Sequence, residues 1–366
     1  MLQAGILSSM VFIQSMSCGN DAYPYTHFQI SANHTCVCDS IAHPAWKNHS
    51  VYLYRPDTPA ERFPVIFFCH GITAENPELY GGLIRHMVGR GYAVVFAPYP
   101  SSKAYLMPRC TYQTMWRGFK KGVDEWGALF NLDSIGFVGH SYGAGAVPSL
   151  AYKAVTGNRW GRESVFLYIM APWYVHGISQ RQMQQYPAQV KMVVEVFADD
   201  AVNDHRIAKD IYLSTGIPDS AKVFCTFRTL PGTFGSSADH DVPLGRSDAS
   251  IDVDDGDFAG VYFVFDALAS YTNNPVAGDA RFRHENMMYA LEGPSGKTCI
   301  ITTERKPVMR RTQVVCANFW RHCMNPRRRL YRCASEPVRL LFGTPETILH
   351  YGLLGCTILT GAGAGE

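Results

Sequence analysis

The chain has 366 residues, of which 47% are hydrophobic and 17% charged, and its formal net charge at pH 7 is +2. This composition excludes a disordered chain, and so small a net charge gives no electrostatic case for binding nucleic acid or acidic polymers. The length is enough for one large α/β core with additional segments.

The N-terminus begins with a short apolar stretch. Residues 1–20 read MLQAGILSSMVFIQSMSCGN, and the apolar part ends in small residues and Cys18. It is too short to span a bilayer, which needs about 20 apolar residues. It resembles a secretion signal without the usual basic start, and Cys18 stands where a lipoprotein signal carries its acylated cysteine. We expect residues 1–20 to direct export to the periplasm, a membrane or the exterior, and the N-terminus to allow membrane association.

The eleven cysteines do not form a recognisable metal-binding pattern. Cys69 and Cys225 lie in apolar runs, where a thiol packs as a small hydrophobic side chain. Cys36 and Cys38 are separated by one residue, whereas zinc and redox pairs are separated by two. We predict no metal and no cofactor, and the cysteine spacing leaves disulfides open.

Short β-rich runs alternate with helical patterns from residue 51 onward, which is typical of a mostly parallel sheet covered by helices. Several runs are continuously apolar, as expected for strands buried on both faces. The predicted strands lie at 51–56, 65–71, 92–100, 134–141, 165–173, 192–200 and 222–230. The predicted helices lie at 79–90, 111–130, 144–155, 204–213 and 257–271.

An acidic segment, DVDDGD, precedes the last predicted helix. Asp252, Asp254 and Asp257 do not fall on the ligand positions of an EF-hand, and the closing glutamate of that loop is absent. Acidic residues are favourable ahead of a helix N-terminus, which explains the segment without calcium.

A serine between glycines follows the fourth predicted strand, in FVGHSYGAGAV. The pattern G-x-S-x-G between a strand and a helix predicts a nucleophile elbow, in which Ser141 stands exposed on a strained turn. A Cβ atom at Gly139 or Gly143 would collide with a neighbouring strand or helix, and Gly145 lets the helix lie close. The backbone N–H of Tyr142 would point to the place where an oxyanion forms.

An elbow of this kind needs an acid and then a histidine further along the chain. Asp200 lies at the first turn after the sixth predicted strand and is the favoured acid. Asp204 is the alternative, although it also suits the N-cap of the following helix. His240 is the one histidine in the loop after the last predicted strand, whereas His176 and His205 follow earlier strands.

The loop after the second predicted strand, CHGITAEN, is expected to supply the second oxyanion donor. His70 and Gly71 make a tight turn there, and the N–H of Ile72 is the expected donor. We interpret His70 itself as a structural turn residue.

Four segments, PVIFFCHGITA, GYAVVFAP, GFVGHSYGAGAV and IMAPW, resemble the α/β-hydrolase superfamily and stand in its order. Within it, the chain is most similar to cutinase-like polyester hydrolases and platelet-activating-factor acetylhydrolase relatives, over roughly residues 50–270. The resemblance implies a mostly parallel sheet of about eight strands with helices on both faces. It also implies a serine ester hydrolase acting on a small-molecule or lipid ester, with Trp173 as an aromatic wall or a packing residue.

The chain departs from these families at several points. Tyr142 replaces a small or aliphatic residue, two aspartates compete for the acid position, the loop before His240 is long, and no lid insertion precedes the sixth strand. These departures affect substrate choice more than reaction class. A binding protein without activity and a serine peptidase of the same fold are the alternatives.

The sequence pattern, in which the alternation of strands and helices weakens after residue 272, also suggests how the chain is divided. After the export signal at 1–20, residues 21–272 are the expected catalytic domain, and 273–330 an extension packed on the core. Residues 331–366, which end in low-complexity Gly and Ala, receive no function.

Overall fold

The computed structural model describes residues 15–16, 22–23, 36–58, 62–104, 107–229, 237–244, 257–273, 288–292 and 298–304. The predicted export signal lies outside the described residues except for Ser15–Met16, which pairs with Ala22–Tyr23 in a short antiparallel ladder. Asp252, Asp254 and the segment 331–366 also lie outside them.

The described strands of the core form one ten-stranded sheet. They are β1 (Cys36–Ala42), β2 (Ser50–Pro56), β3 (Phe63–Cys69), β4 (Ala93–Phe96), β5 (Phe130–His140), β6 (Ser164–Met170), β7 (Val190–Phe197), β8 (Lys222–Thr229), β9 (Met288–Glu292) and β10 (Thr298–Glu304). Their order across the sheet is β9-β10-β8-β7-β6-β5-β3-β4-β2-β1.

The strands from β3 to β8 pair in parallel, whereas β2 is antiparallel to both of its neighbours. Strands β1 to β8, in the order 1-2-4-3-5-6-7-8 with an antiparallel second strand, make the α/β-hydrolase fold, and the predicted fold class is confirmed. The hairpin β9–β10 extends the sheet at this edge: β10 pairs antiparallel with β8, and β9 pairs antiparallel with β10.

Six α-helices lie in the described part of the chain. They are α1 (Gly81–Gly89), α2 (Pro108–Trp126), α3 (Ser141–Tyr152), α4 (Gln180–Met183), α5 (His205–Ser214) and α6 (Phe263–Asn273). The apolar sides of α2, α3 and α5 pack on one face of the sheet, and those of α1 and α6 pack on the other. None of the helices in these ranges combines the length and apolar character that crossing a bilayer requires.

The central strands are buried on both sides, which explains their continuous apolar sequences. Successive side chains of a strand point to opposite faces. In β3, the ring of Phe67 packs against Phe119 of α2 at 5.2 Å between centroids, and that of Phe68 packs against Tyr80, just before α1, at 4.7 Å. Burying each phenyl ring fully contributes about 2–3 kcal/mol to the stability of the folded protein. The sheet is therefore a rigid platform for the loops at its edge.

Strand β1 is absent from the predicted elements. It is an edge strand whose residues are half-buried or exposed, and it includes Cys36 and Cys38 together with Asp39. Apolar periodicity is weak in such a strand because only one neighbour and little of the core contact it. Cys36, Cys38, Cys69, Cys110 and Cys225 are free thiols, and Cys69 and Cys225 are buried in the core.

A buried charged cluster joins the two helices on the α1 face. The carboxylate of Asp266 in α6 accepts hydrogen bonds from His86 at 3.0 Å and from Arg90 Nε at 2.9 Å. Burial by itself raises the pKa of a carboxyl, but the attraction and hydrogen bonds of His86 and Arg90 outweigh it. The pKa of Asp266 therefore lies below its ordinary value.

A second buried acid, Glu195 of β7, lies on the same face and is fully buried. Its carboxyl group is hydrogen-bonded to the hydroxyl of Tyr168, which also contacts the carbonyl of Val261. Burial raises the pKa of Glu195 well above its ordinary value, which favours the protonated form of this carboxyl. The Tyr168 hydroxyl is the donor toward both the Glu195 carboxyl group and the Val261 carbonyl.

Candidate active site

Ser141 lies where β5 ends and α3 begins, at the carboxyl edge of the parallel strands. Its φ angle is +54°, a left-handed conformation that costs a residue with a side chain about 1–2 kcal/mol. The carbonyl of Ser141 accepts a hydrogen bond of 2.8 Å from the N–H of Trp173, which helps to hold the turn. The geometry is that of a nucleophile elbow.

The glycines around the serine are required by close approach of other backbone segments. A Cβ atom on Gly143 would lie 2.0 Å from the carbonyl oxygen of Cys69, at the end of β3. A Cβ atom on Gly145 would lie 2.5 Å from the carbonyl oxygen of Tyr174. The glycines therefore let α3 start directly against the loops after β3 and β6.

His240 joins the serine to an aspartate. Its Nε2 atom lies 2.9 Å from Oγ of Ser141, and its Nδ1 atom lies 2.9 Å from Oδ2 of Asp200. A carboxylate only accepts hydrogen bonds, so Nδ1 carries the proton and Nε2 is free to accept from the serine hydroxyl. The structure thus brings together the three side chains that the sequence places in separate loops.

The carboxylate of Asp200 is held on both oxygens. Oδ1 accepts hydrogen bonds from the backbone N–H groups of Val202 at 2.8 Å and Asn203 at 2.9 Å, while Oδ2 faces His240. Only 1% of the Asp200 side chain is exposed. These bonds fix the carboxylate in the plane in which it can orient the imidazole.

Asp204, the alternative acid, has different partners. It is the N-cap of α5, where its Oδ1 accepts from the N–H of Arg206 at 2.9 Å, and its Oδ2 pairs with the Arg206 guanidinium. His205 is the first residue of that helix. His176 packs near Tyr112, and burial together with the charge of Arg109 lowers its pKa to about 4.

The turn after β3, which we call the oxyanion turn, comprises Gly71 to Ala74. A Cβ atom on Gly71 would lie 3.4 Å from the Cβ atom of Ser141, so the turn lies directly beside the serine. Thr73 has a φ of +65°, and its N–H donates to Oγ of Ser101 at 2.7 Å. Ile72, the predicted donor, lies between these two fixed points, half-buried beside the core.

His70 lies just before this turn and is fully buried. Its Nδ1 donates to the carbonyl of Gly71 at 2.7 Å, and its Nε2 accepts from the N–H of Tyr99 at 3.2 Å. Burial lowers the pKa of His70 to about 4, so the ring is neutral. These contacts belong to a structural side chain that stabilises the turn.

The two aromatic residues singled out in the sequence differ in position. Tyr142 is buried, and its hydroxyl donates to the carbonyl of Ala104 at 2.8 Å, so its side chain points into the core. Its backbone lies in the first turn of α3, directly after Ser141. Trp173 is half-buried, and its ring contacts Tyr174 edge-on at 4.8 Å between centroids.

Three residues near the site have no role in the sequence predictions. Asp199 accepts from the N–H of Ala238 at 3.2 Å and donates its own N–H to the Ala238 carbonyl at 2.8 Å, which ties the acid loop to the histidine loop. His140 and Tyr80 form a chain of hydrogen bonds that reaches His240. His140 is the second residue of GHSYG, a position the motif leaves open, and nothing in the sequence links Tyr80 to it.

No known family profile matches the sequence, and no curated protein matches it. Solved structures similar to it include a thermostable esterase from Pseudomonas putida ECU1011, with a TM-score of 0.36, 16% identity, and coverage of 47% of this chain and 66% of that chain. A structure from work on two Rhizomucor miehei esterases matches with a TM-score of 0.46, 10% identity, and coverage of 67% and 87%. Carboxyl esterase 2 from Tuber melanosporum matches with a TM-score of 0.45, 16% identity, and coverage of 63% and 86%.

In the Pseudomonas match, the chain spans just under two thirds of the other protein's length. Identities of 10% to 16% do not specify an activity. The chemistry of this protein is therefore inferred from its own side chains.

Proposed function

We propose that the protein is a serine ester hydrolase that cleaves carboxylic esters through an acyl-enzyme intermediate. The observation that carries the proposal is the continuous hydrogen-bonded line from Asp200 through His240 to Ser141, with both bonds to the imidazole at 2.9 Å. Three loops from different strands contribute these groups, and each is fixed by further backbone hydrogen bonds. Such an arrangement activates a hydroxyl that is otherwise a weak nucleophile.

The proposed reaction has two halves. His240 takes the proton of Ser141 while Oγ attacks the ester carbonyl, and the imidazolium then gives this proton to the departing alcohol. Asp200 keeps the imidazole in the required tautomer and stabilises its positive charge. In the second half, His240 takes a proton from water, the hydroxide attacks the acyl group, and Ser141 recovers its proton as the acid leaves.

The oxyanion of each tetrahedral intermediate needs preorganised donors. We assign this role to the N–H groups of Tyr142, in the first turn of α3, and Ile72, in the oxyanion turn beside Ser141. Each such donor contributes about 3–4 kcal/mol of transition-state stabilisation. The left-handed conformation of Ser141 favours this assignment because it turns Oγ away from the strand and toward the space between the two backbone segments.

The favoured substrates are esters whose acyl group is apolar. Ile72 and Trp173 are both half-buried apolar residues: Ile72 carries one of the two assigned oxyanion donors, and the N–H of Trp173 is hydrogen-bonded to the carbonyl of Ser141. Apolar walls with few polar groups are typical of sites for lipid or short-chain acyl esters. The motifs that resemble cutinase-like polyester hydrolases and platelet-activating-factor acetylhydrolase relatives agree with this choice.

A fluorophosphonate probe and p-nitrophenyl acetate test the proposal together. The wild-type chain is expected to be labelled covalently at Ser141 and to release p-nitrophenol, and the Ser141→Ala variant is expected to do neither. The matched control is Ser149→Ala, which removes a hydroxyl from the same helix two turns away.

Three outcomes distinguish the alternatives. Absence of labelling and turnover in the wild type would favour the binding protein without activity. Labelling that persists in Ser141→Ala would assign the nucleophile to another residue. Hydrolysis of an acyl p-nitroanilide at a rate close to that of the matching ester would favour the peptidase.

A further inference from the structure

A chain of hydrogen bonds runs behind the catalytic groups, from the oxyanion turn to the backbone of the catalytic histidine. The N–H of Gly71 donates to the hydroxyl of Tyr80 at 2.8 Å. The Tyr80 hydroxyl lies 2.9 Å from Nδ1 of His140, and Nε2 of His140 lies 2.9 Å from the carbonyl oxygen of His240. Four residues from four separate segments are thereby connected.

The chemistry of the end groups fixes the direction of every bond. The carbonyl of His240 only accepts, so Nε2 of His140 carries the ring proton. Nδ1 of the neutral ring then accepts, and the Tyr80 hydroxyl is its donor. The Tyr80 oxygen in turn accepts from Gly71. Every donor in the chain has one acceptor, so the arrangement is satisfied without water.

Burial keeps this arrangement in one protonation state. His140 is 2% exposed and Tyr80 is fully buried. Burial, and then the neighbouring His240, lower the pKa of His140 well below its ordinary value, so the ring stays neutral. A charged ring there would oppose the imidazolium that His240 forms, because the two ring centroids are only 4.7 Å apart.

We propose that His140 and Tyr80 are positioning residues, which hold the backbone of His240 and the oxyanion turn at a fixed distance from each other on either side of Ser141. The proposal rests on the proposed function. The histidine loop is fixed at Ala238 by Asp199, and His140 supplies the second attachment, at the histidine itself. A displacement of about 1 Å at a catalytic group can cost about 100-fold in rate, so the second attachment affects turnover.

Three variants of the full chain separate positioning from folding. Tyr80→Phe removes only the hydroxyl, His140→Leu removes both ring nitrogens, and His140→Gln keeps an N–H donor near the place of Nε2. The matched control is Tyr92→Phe, which removes another buried hydroxyl on the same face of the sheet, one that accepts from Asn273 at 2.8 Å.

With p-nitrophenyl acetate, Tyr80→Phe and His140→Leu are expected to lower kcat by about 10- to 100-fold while KM changes less than about threefold. His140→Gln is expected to recover kcat to within about fivefold of the wild type, and Tyr92→Phe to leave it unchanged. In proton NMR, the low-field resonance of the His240 Nδ1 proton is expected to broaden in His140→Leu and to persist in Tyr92→Phe.

A kcat within twofold of the wild type in both Tyr80→Phe and His140→Leu overturns the proposal. An equal loss in His140→Gln and His140→Leu also overturns it, because the donated N–H would then be irrelevant. If His140→Leu does not fold, Tyr80→Phe decides through the same kinetic and NMR readouts. A wild type that neither turns over the ester nor reacts with the fluorophosphonate refutes the proposed function instead, and the NMR comparison still tests the positioning.

Discussion

Asp200 and Asp204 are four residues apart in the chain, yet their carboxylates serve different structures: the first bonds to His240 and the second caps α5. The difference arises because the chain turns between them, with the Asp200 carboxylate accepting the N–H groups of Val202 and Asn203 inside that turn. Proximity in sequence therefore does not make the two acids equivalent.

Exchanging each acid for its amide tests this assignment. Asp200→Asn is expected to lower kcat by about 10³- to 10⁴-fold, because an amide N–H facing Nδ1 of His240 favours the wrong tautomer. Asp204→Asn is expected to retain activity within twofold, since asparagine is an equally good N-cap. Steady-state ester hydrolysis measures both. Loss of activity in Asp204→Asn with Asp200→Asn active would reverse the roles.

The elbow glycine Gly143 is expected not to tolerate a methyl group. In Gly143→Ala the new Cβ atom would lie 2.0 Å from a backbone oxygen of Cys69 and 2.4 Å from that of His70, and neither carbonyl can move without disturbing β3. We expect the free energy of unfolding to fall by about 3 kcal/mol or more, measured by urea denaturation. Gly89→Ala is the control, because outside its chain neighbours and the backbone of α1 nothing lies within 4 Å of the position that its methyl group would take; it is expected to be neutral or slightly stabilising.

Glu195 makes the stability of the protein depend on pH. Its pKa in the folded protein is raised by burial, so the native state keeps a proton that the unfolded chain releases above the ordinary pKa of 4.5. The contribution of Glu195 to the free energy of unfolding is therefore fully present below pH 4.5. It decreases as the pH rises, by at most about 1.4 kcal/mol per pH unit. Glu195→Gln removes the titration. The Tm of the variant minus that of the wild type is expected to increase between about pH 5 and pH 8, and a constant difference would show that Glu195 is ionised in the native state.

The contribution of Asp266 to stability depends on pH in the opposite direction to that of Glu195. Its pKa is lowered in the folded protein by His86 and Arg90, so its contribution to stability is present above its unfolded pKa and is lost as pH falls through the folded value. Asp266→Asn leaves Arg90, which is 20% exposed, without its carboxylate and is expected to cost about 3 kcal/mol at pH 7. Thermal unfolding at about pH 7 and pH 3 measures the effect, which is expected to shrink at the lower pH.

A control on the surface shows whether burial is the cause. Asp133 makes a similar two-contact pair with Arg162, whose side chain is 69% exposed. Asp133→Asn is expected to change Tm only slightly, because exposed ion pairs are screened by water. An equal loss of stability in Asp133→Asn and Asp266→Asn would contradict the explanation.

The central part of the fold could be predicted because its strands are covered on both sides. The apolar runs at 65–71 and 134–141 correspond to β3 and β5, although the last residues of several runs lie in loops. Residues 70–71, for example, belong to the turn after β3. Periodicity alone does not separate such loop residues from the preceding strand, because several of them, such as Ala97 and Tyr99 after β4, are buried apolar or aromatic residues too.

The site residues that could be predicted are those whose residue type and position in a motif or loop indicate a chemical role. Ser141 stands in a pattern that defines its backbone, and His240 is the single histidine of its loop. His140 could not be assigned, because its contact is with a backbone carbonyl 100 residues away, and Tyr80 reaches that carbonyl only through His140. Every residue has a backbone carbonyl, so the amino-acid sequence does not show which of them accepts such a hydrogen bond.

The hairpin β9–β10 has a consequence for synthesis of the chain on the ribosome. Strand β8 carries the histidine loop, and the outer edge of that strand is paired by β10, which is completed only at residue 304. Until then, a nascent chain that already contains Ser141, Asp200 and His240 leaves the outer edge of β8 open, and such an edge can pair with the same edge of another copy. Once β10 has been made, it covers this edge of β8, and the folded chain no longer offers that edge for pairing with another copy.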